Sequence, residues 1–329
     1  MAFPGVEWEV MADPEANGWS MEGLQKAREL TDELDTASIM IIHKGKIVDS
    51  WGDLEYKYRS HSIRKSFLSA LYGIQVSEGV IDLDATMEDL EIDDNEGLSD
   101  TEKQATVQML LQARSGIYHP ALFETASMTA AKPERHSQAP GTNYHYNNWD
   151  FNASGTIYEM LSGELIHESF KQRIANPIGM QDYVPEDGRY VTGEESQHAA
   201  YPFVISTRDL ARFGHLFLND GIWDGERVLP EGWVEESTMA HSVLSDERGD
   251  RGGYGYMWWV EVDGQHFDSV EQVPEGTYTA RGARGHVLAV VPNLDLVFVH
   301  RTDTAVSGQR VTYGDIGRVF EIVVNSLEE

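Results

Sequence analysis

Ser62 stands three residues before Lys65, and no other serine among the 329 residues has a lysine at that distance. Residues i and i+3 share a helix face. If the apolar run Phe67, Leu68, Leu71, Tyr72 and Ile74 is a helix, the Lys65 amine can reach the Ser62 hydroxyl. Burial would hold that amine neutral and ready to take the serine proton. The positive end of the helix would favour a developing alkoxide. Taken alone, S-x-x-K is expected about once by chance in a chain of this length.

Tyr146-Asn147-Asn148 is the only Y-x-N in the chain. A hydrogen-bonded phenol can pass a proton to a leaving group, and an Asn amide can hold both a lysine and a substrate carbonyl. The bland alternative makes Tyr144 and Tyr146 half-buried loop aromatics with polar tips. The segment Ala280-Arg281-Gly282-Ala283-Arg284-Gly285-His286 precedes an apolar run. Glycine there permits close backbone approach to a ligand. A backbone amide in it could be one oxyanion donor and the Ser62 amide the other. Its bland alternative is a bulged strand entry with two solvated arginines.

Other chemistries lack their residues. The chain has no cysteine, which removes thiol nucleophiles and disulfide scaffolds. It has no H-E-x-x-H, no phosphate-binding loop, no dinucleotide fingerprint and no G-x-S-x-G. No metal or cofactor is expected. The 55 Asp and Glu against 25 Lys and Arg leave a formal charge of −30. That charge argues against nucleic acid and anionic membrane surfaces as partners. With 17 Arg but only 8 Lys, the balance fits either a salt-adapted surface or an ordinary acidic protein. No targeting segment or membrane-length apolar run is visible, so a cytoplasmic protein is expected.

The elements that must position these residues follow from periodicity. Ser20 can cap a helix with Leu24, Ala27, Leu30 and Leu34 on one face. Residues 38–43 and 46–51 flank Lys44-Gly45 as a hairpin. Residues 255–262, 287–291 and 296–300 read as strands, and a closing helix carries Ile316, Val319, Phe320 and Val323. Between the two ends lie helical stretches at 66–75, 106–112, 150–161 and 168–175. The expected architecture is α+β: an antiparallel sheet from 1–60 and 202–329, flanked by terminal helices, with a mainly helical domain inserted at 61–201. The aromatic run from Tyr254 to Trp259 reads as core or, on one face, as an acyl pocket.

The order S-x-x-K, Y-x-N, Gly-rich strand resembles the serine β-lactamase and penicillin-binding-protein superfamily, with its closest look to class C β-lactamases, family VIII esterases and 6-aminohexanoate-dimer hydrolases. Ser115-Gly116-Ile117, Pro140-Gly141 and Thr207-Arg208-Asp209-Leu210 extend the resemblance over most of the chain. It implies a β-lactamase/transpeptidase-like fold with a cleft between two domains. It also implies Ser62 as the acyl-accepting nucleophile, Lys65 as its base, Tyr146 as proton relay and Asn148 as the positioning amide. The third motif departs from the family's Lys-Thr-Gly, His-x-Gly or Trp-Gly-Gly and keeps only Gly282. The Ala283 amide then becomes the second oxyanion donor, and Arg281 or His286 a group that orients substrate. The implied activity is hydrolysis of a small ester or amide. A catalytically idle binding protein and a true β-lactamase or D-amino-peptidase are the alternatives.

Overall fold

The computed structural model describes residues 2–245 and 251–328. Eight antiparallel strands form one sheet: β1 Thr36–His43, β2 Lys46–Gly52, β3 Ser242–Ser245, β4 Arg251–Tyr254, β5 Trp259–Val260, β6 Tyr278–Gly282, β7 His286–Val291 and β8 Leu296–Thr302. Their spatial order is β2-β1-β8-β7-β6-β5-β4-β3. Thus β1 pairs with a strand from the far end of the chain, with Ile41 opposite Phe298.

The central strands are apolar on both faces because both faces are covered. Ile39, Ile41, Ala289, Val291 and Phe298 pack against the terminal helices α1 (Met21–Asp32) and α7 (Tyr313–Asn325). Ser20 caps α1 by accepting from the Gly23 amide at 3.1 Å. Met40, Ile42, Leu288, Val290, Val297 and Val299 alternate onto the opposite face. There they meet a helical layer of α2 (Ile63–Ser77), α3 (Val107–Leu111), α4 (Asn148–Ser162), α5 (Ile166–Phe170) and α6 (Thr207–Leu218). Every residue of α2 from Ile63 to Gln75 is buried, so α2 is a core helix rather than an amphipathic surface one. A short antiparallel pair, Tyr58–Arg59 with Val204–Ile205, lies beside its start.

Two elements differ from the sequence-based expectation. The strand anticipated over 255–262 is regular only at Trp259–Val260. Gly255 donates to the Trp258 carbonyl and Met257 adopts a positive φ of 62°, so these residues turn the hairpin from β4 to β5. A Cβ on Gly255 would lie 2.2 Å from the Ser237 carbonyl oxygen, so only glycine allows that close approach. The helix anticipated over 168–175 is α-helical to Phe170 and continues as a π-turn through Lys171–Ala175.

Candidate active site

Ser62 occupies the N-cap of α2, but its side chain makes no capping hydrogen bond. The hydroxyl is therefore not consumed by the helix end. His61, immediately before it, has φ +48°, a left-handed conformation that costs a side-chain-bearing residue of order 1–3 kcal/mol. The conformation is held from both sides. His61 Nε2 and Thr304 Oγ1 are 2.7 Å apart, and the Ser60 amide donates to the Phe203 carbonyl at 2.9 Å. This bent entry points the Ser62 hydroxyl back over the first turn of α2.

Lys65 lies one turn on. Its amine donates to Ser62 Oγ at 3.1 Å and to Asn148 Oδ1 at 2.8 Å, with a further short contact to the Tyr146 hydroxyl. It sits over the rings of Tyr146 and Phe151, 4.2 and 4.3 Å from their centroids. Among the described residues no carboxylate pairs with it. Burial, reinforced by the neighbouring Arg64 charge, pushes this amine far below the usual lysine range.

Tyr146 and Asn148 arrive from the start of α4, where Asn147 caps the helix by accepting from the Trp149 amide at 2.8 Å. Tyr146 is stacked on Trp259 with ring centroids 5.6 Å apart, and Tyr254 meets it edge-on. The aromatic run thus buttresses the tyrosine, and none of its residues from 254 to 259 lines the cavity described below. Asn148 was expected to hold both Lys65 and a substrate carbonyl. Its amide nitrogen instead donates to the Phe123 and Leu122 carbonyls, at 2.8 and 3.4 Å, so both donor hydrogens anchor that loop.

Strand β6 supplies the third side. Gly282 passes so close to the nucleophile turn that a Cβ there would lie 2.5 Å from the Ser60 carbonyl oxygen and 3.2 Å from the His61 Cβ. Only glycine permits this approach, which accounts for its place in the degenerate motif. It brings Ala283 to the wall of a cavity of about 510 Å³ that Ser62 and Asn148 also line. Neither the Ser62 nor the Ala283 amide donates a hydrogen bond among the described residues.

Arg281 is not brought to this site. Strand alternation places it on the opposite sheet face from Ala280, where its guanidinium donates to Thr279 Oγ1 at 3.0 Å and to the His266 carbonyl at 2.8 Å. It lies against Phe267 and Tyr313 there, buried rather than solvated. His286 lies one layer beneath the site, its ring 5.0 Å from that of His61, accepting from Arg301 Nε at 3.0 Å. It too is absent from the cavity wall. Sequence reasoning missed His61 and the cavity residues Arg59, Arg64, Phe123 and Arg189. The signal available for Arg64 was its position inside S-x-x-K itself. Among the described residues no cluster of three or more His, Asp or Glu is grouped as a metal site, and no helix is long and apolar enough to cross a membrane.

A serine at a strained helix start, a buried lysine on it and a tyrosine completing the triangle form a recognisable set. Residues 25–316 match the family model described as Beta-lactamase. The chain belongs to the beta-lactamase family. Among solved structures, this family member is similar to a family VIII carboxylesterase (TM-score 0.70, 16% identity, 97% of this chain and 99% of that one). It is also similar to a candidate 6-aminohexanoate-dimer hydrolase from Bacillus anthracis (TM-score 0.67, 23% identity, 91% and 80%). A curated relative, an uncharacterized protein of Alkalihalophilus pseudofirmus, is 21% identical over 92% of this chain and 94% of its own length. The β-lactamase/transpeptidase-like fold anticipated from the motifs is thereby shown, with its serine-hydrolase architecture.

Proposed function

We propose that this chain hydrolyses a small ester or amide through an acyl-enzyme on Ser62. The observation that carries the reading is Lys65: a buried amine without a carboxylate partner among the described residues, 3.1 Å from a hydroxyl that no helix cap consumes. An uncompensated buried amine is costly to a fold, and its use is as a base.

Neutral Lys65 accepts the Ser62 proton as Oγ bonds to the substrate carbonyl carbon. The carbonyl electron pair moves onto oxygen, where the Ser62 and Ala283 amides stabilise it. Collapse of this intermediate breaks the bond to the leaving group, which takes the proton from Lys65 through the Tyr146 hydroxyl. Water then attacks the acyl carbon and gives a proton to the same pair; collapse breaks the bond from the acyl carbon to Ser62 Oγ, which takes that proton back, and the acid leaves. Asn148 keeps Lys65 in line throughout. A lysine does not stand at the third motif, where Ala280 and Gly282 face the nucleophile, so the charge that penicillin-recognising relatives use for the drug carboxylate is missing from its usual place. This favours esters or simple amides over lactams.

Intact-protein mass after treatment with a fluorophosphonate tests the reading. One adduct on the wild type and none on Ser62→Ala is the expected result, with ester turnover falling at least about 10³-fold in the variant. Adducts on both proteins, or on neither, would overturn it.

A further inference from the structure

The protein is strongly acidic, yet the cavity beside Ser62 carries four arginines: Arg59, Arg64, Arg189 and Arg284. None of the four is in an ion pair among the described residues, whereas Arg28, Arg135, Arg173 and Arg208 all are. The two carboxylates on the same wall are already matched, Glu124 by Lys132 and Asp187 by Lys57. His61 adds no charge of its own, because burial and the nearby arginines hold its ring neutral at pH 7.

Arg64 is the decisive member. It is 3% exposed, its Nη2 donates to Asn152 Oδ1 at 2.9 Å, and its guanidinium lies 4.1 Å from the centroid of the Tyr201 ring. Its Nη1 is buried without any hydrogen-bond partner. A buried guanidinium N–H left unpaired is rare and costly, and the planar fork suits a carboxylate. Phe123, Met128, Pro202 and Phe203 supply an apolar wall between.

We infer that the cavity selects substrates whose short acyl chain ends in a carboxylate, with Arg64 as its acceptor-seeking partner and Arg59, Arg189 and Arg284 as a cationic rim. This deepens the hydrolase reading and rests on it for the word substrate; the anion site itself does not. Nothing in the family motifs assigns a role to Arg64, the second of the two residues between Ser62 and Lys65. The rim would also concentrate anions that the rest of the surface repels.

The test compares mono(4-nitrophenyl) glutarate with 4-nitrophenyl butyrate, which share a leaving group. The wild type should favour the anionic ester at least about tenfold in kcat/KM, chiefly through KM, and the preference should shrink at molar salt. Arg64→Gln should bring the ratio to within about threefold of unity, and Arg64→Lys should recover part of it. If Arg64→Gln does not fold, the exposed pair Arg189→Gln/Arg284→Gln should lower the ratio several-fold. A wild type indifferent to the carboxylate, or a ratio unmoved by these substitutions, overturns the inference. If neither ester turns over and the fluorophosphonate leaves no adduct, the hydrolase reading has failed separately. Calorimetric titration with glutarate then decides. Saturable binding lost in Arg64→Gln supports the anion site, and no binding to the wild type overturns it.

Discussion

The Lys65 amine donates to Ser62 Oγ at 3.1 Å from inside a ring of Tyr146, Phe151 and Asn148, and among the described residues no carboxylate pairs with it. In most proteins a buried lysine is matched by an acid. Leaving it unmatched lets burial press its pKa well below the usual lysine range while the amine stays within reach of the Ser62 hydroxyl.

The pH–rate profile should show this directly. Burial lowers the pKa of Lys65, so the neutral, proton-accepting form is the one populated above that lowered value. kcat/KM for a neutral ester should therefore rise with pH through a single ionisation below the usual lysine range. Lys65→Arg keeps a permanent charge and cannot accept the proton, and its activity should fall at least about 10³-fold across the whole range. A flat wild-type profile, or an active Lys65→Arg, would remove Lys65 from the role of base.

Gly282→Ala should damage both stability and rate. The added Cβ meets the Ser60 carbonyl oxygen at 2.5 Å, and a backbone atom cannot swing aside as a side-chain end can. Overpacking of this kind costs about 1–3 kcal/mol, so the melting temperature should drop by several degrees. Displacing Ala283 from Ser62 should lower kcat more than tenfold. Gly5→Ala is the control, since nothing lies within 4 Å of its ideal Cβ. Thermal melts and ester kinetics on the two variants settle the matter; equal behaviour would refute the close-approach argument.

Asp150, buried in α4 beside the site, should impose a pH dependence on folding. Burial outweighs its hydrogen bonds from Ser115 and Asn147 and raises its pKa to about 8. The folded state therefore holds the proton more tightly than the unfolded chain. The stability that this group contributes is complete below the ordinary aspartate pKa and is lost as pH rises through about 8. Asp150→Asn stays neutral, so it should melt higher than the wild type in alkaline buffer, with the difference shrinking as pH falls toward 4. A constant offset at every pH would contradict the assignment.

Much of this site is legible in the sequence. The i, i+3 spacing of Ser62 and Lys65 needs only a helix, and the burial of Phe67, Leu68 and Leu71 guarantees one. The hairpins and terminal helices follow from local periodicity, and local periodicity suffices for them. Arg281 was misjudged because its face depends on strand register: Gly282 is pinned against Ser60, so its neighbour must point the other way. The left-handed His61 was invisible because nothing in its residue type demands that conformation; Thr304 and Phe203, distant in sequence, impose it. The strand expected after Gly255 failed for a similar reason, since Ser237 and Leu111 from elsewhere in the chain claim its backbone amides. The arginine-lined cavity collects residues from seven separate segments, and no window along the sequence contains it.

The pairing of β1 with β8 also governs how the molecule comes into being. Ile39 and Ile41 must lie beside His300 and Phe298, residues far along the chain from them. Until β8 is in place β1 has a partner only in β2, and its other edge stays open and apolar. Closure is thus a long-range event of the kind that makes folding slow and leaves nascent chains dependent on protection from one another. The serine and lysine of α2 are carried by a helix that can form locally, whereas the turn between β6 and β7 that brings Ala283 to the same cavity depends on that distant pairing of strands.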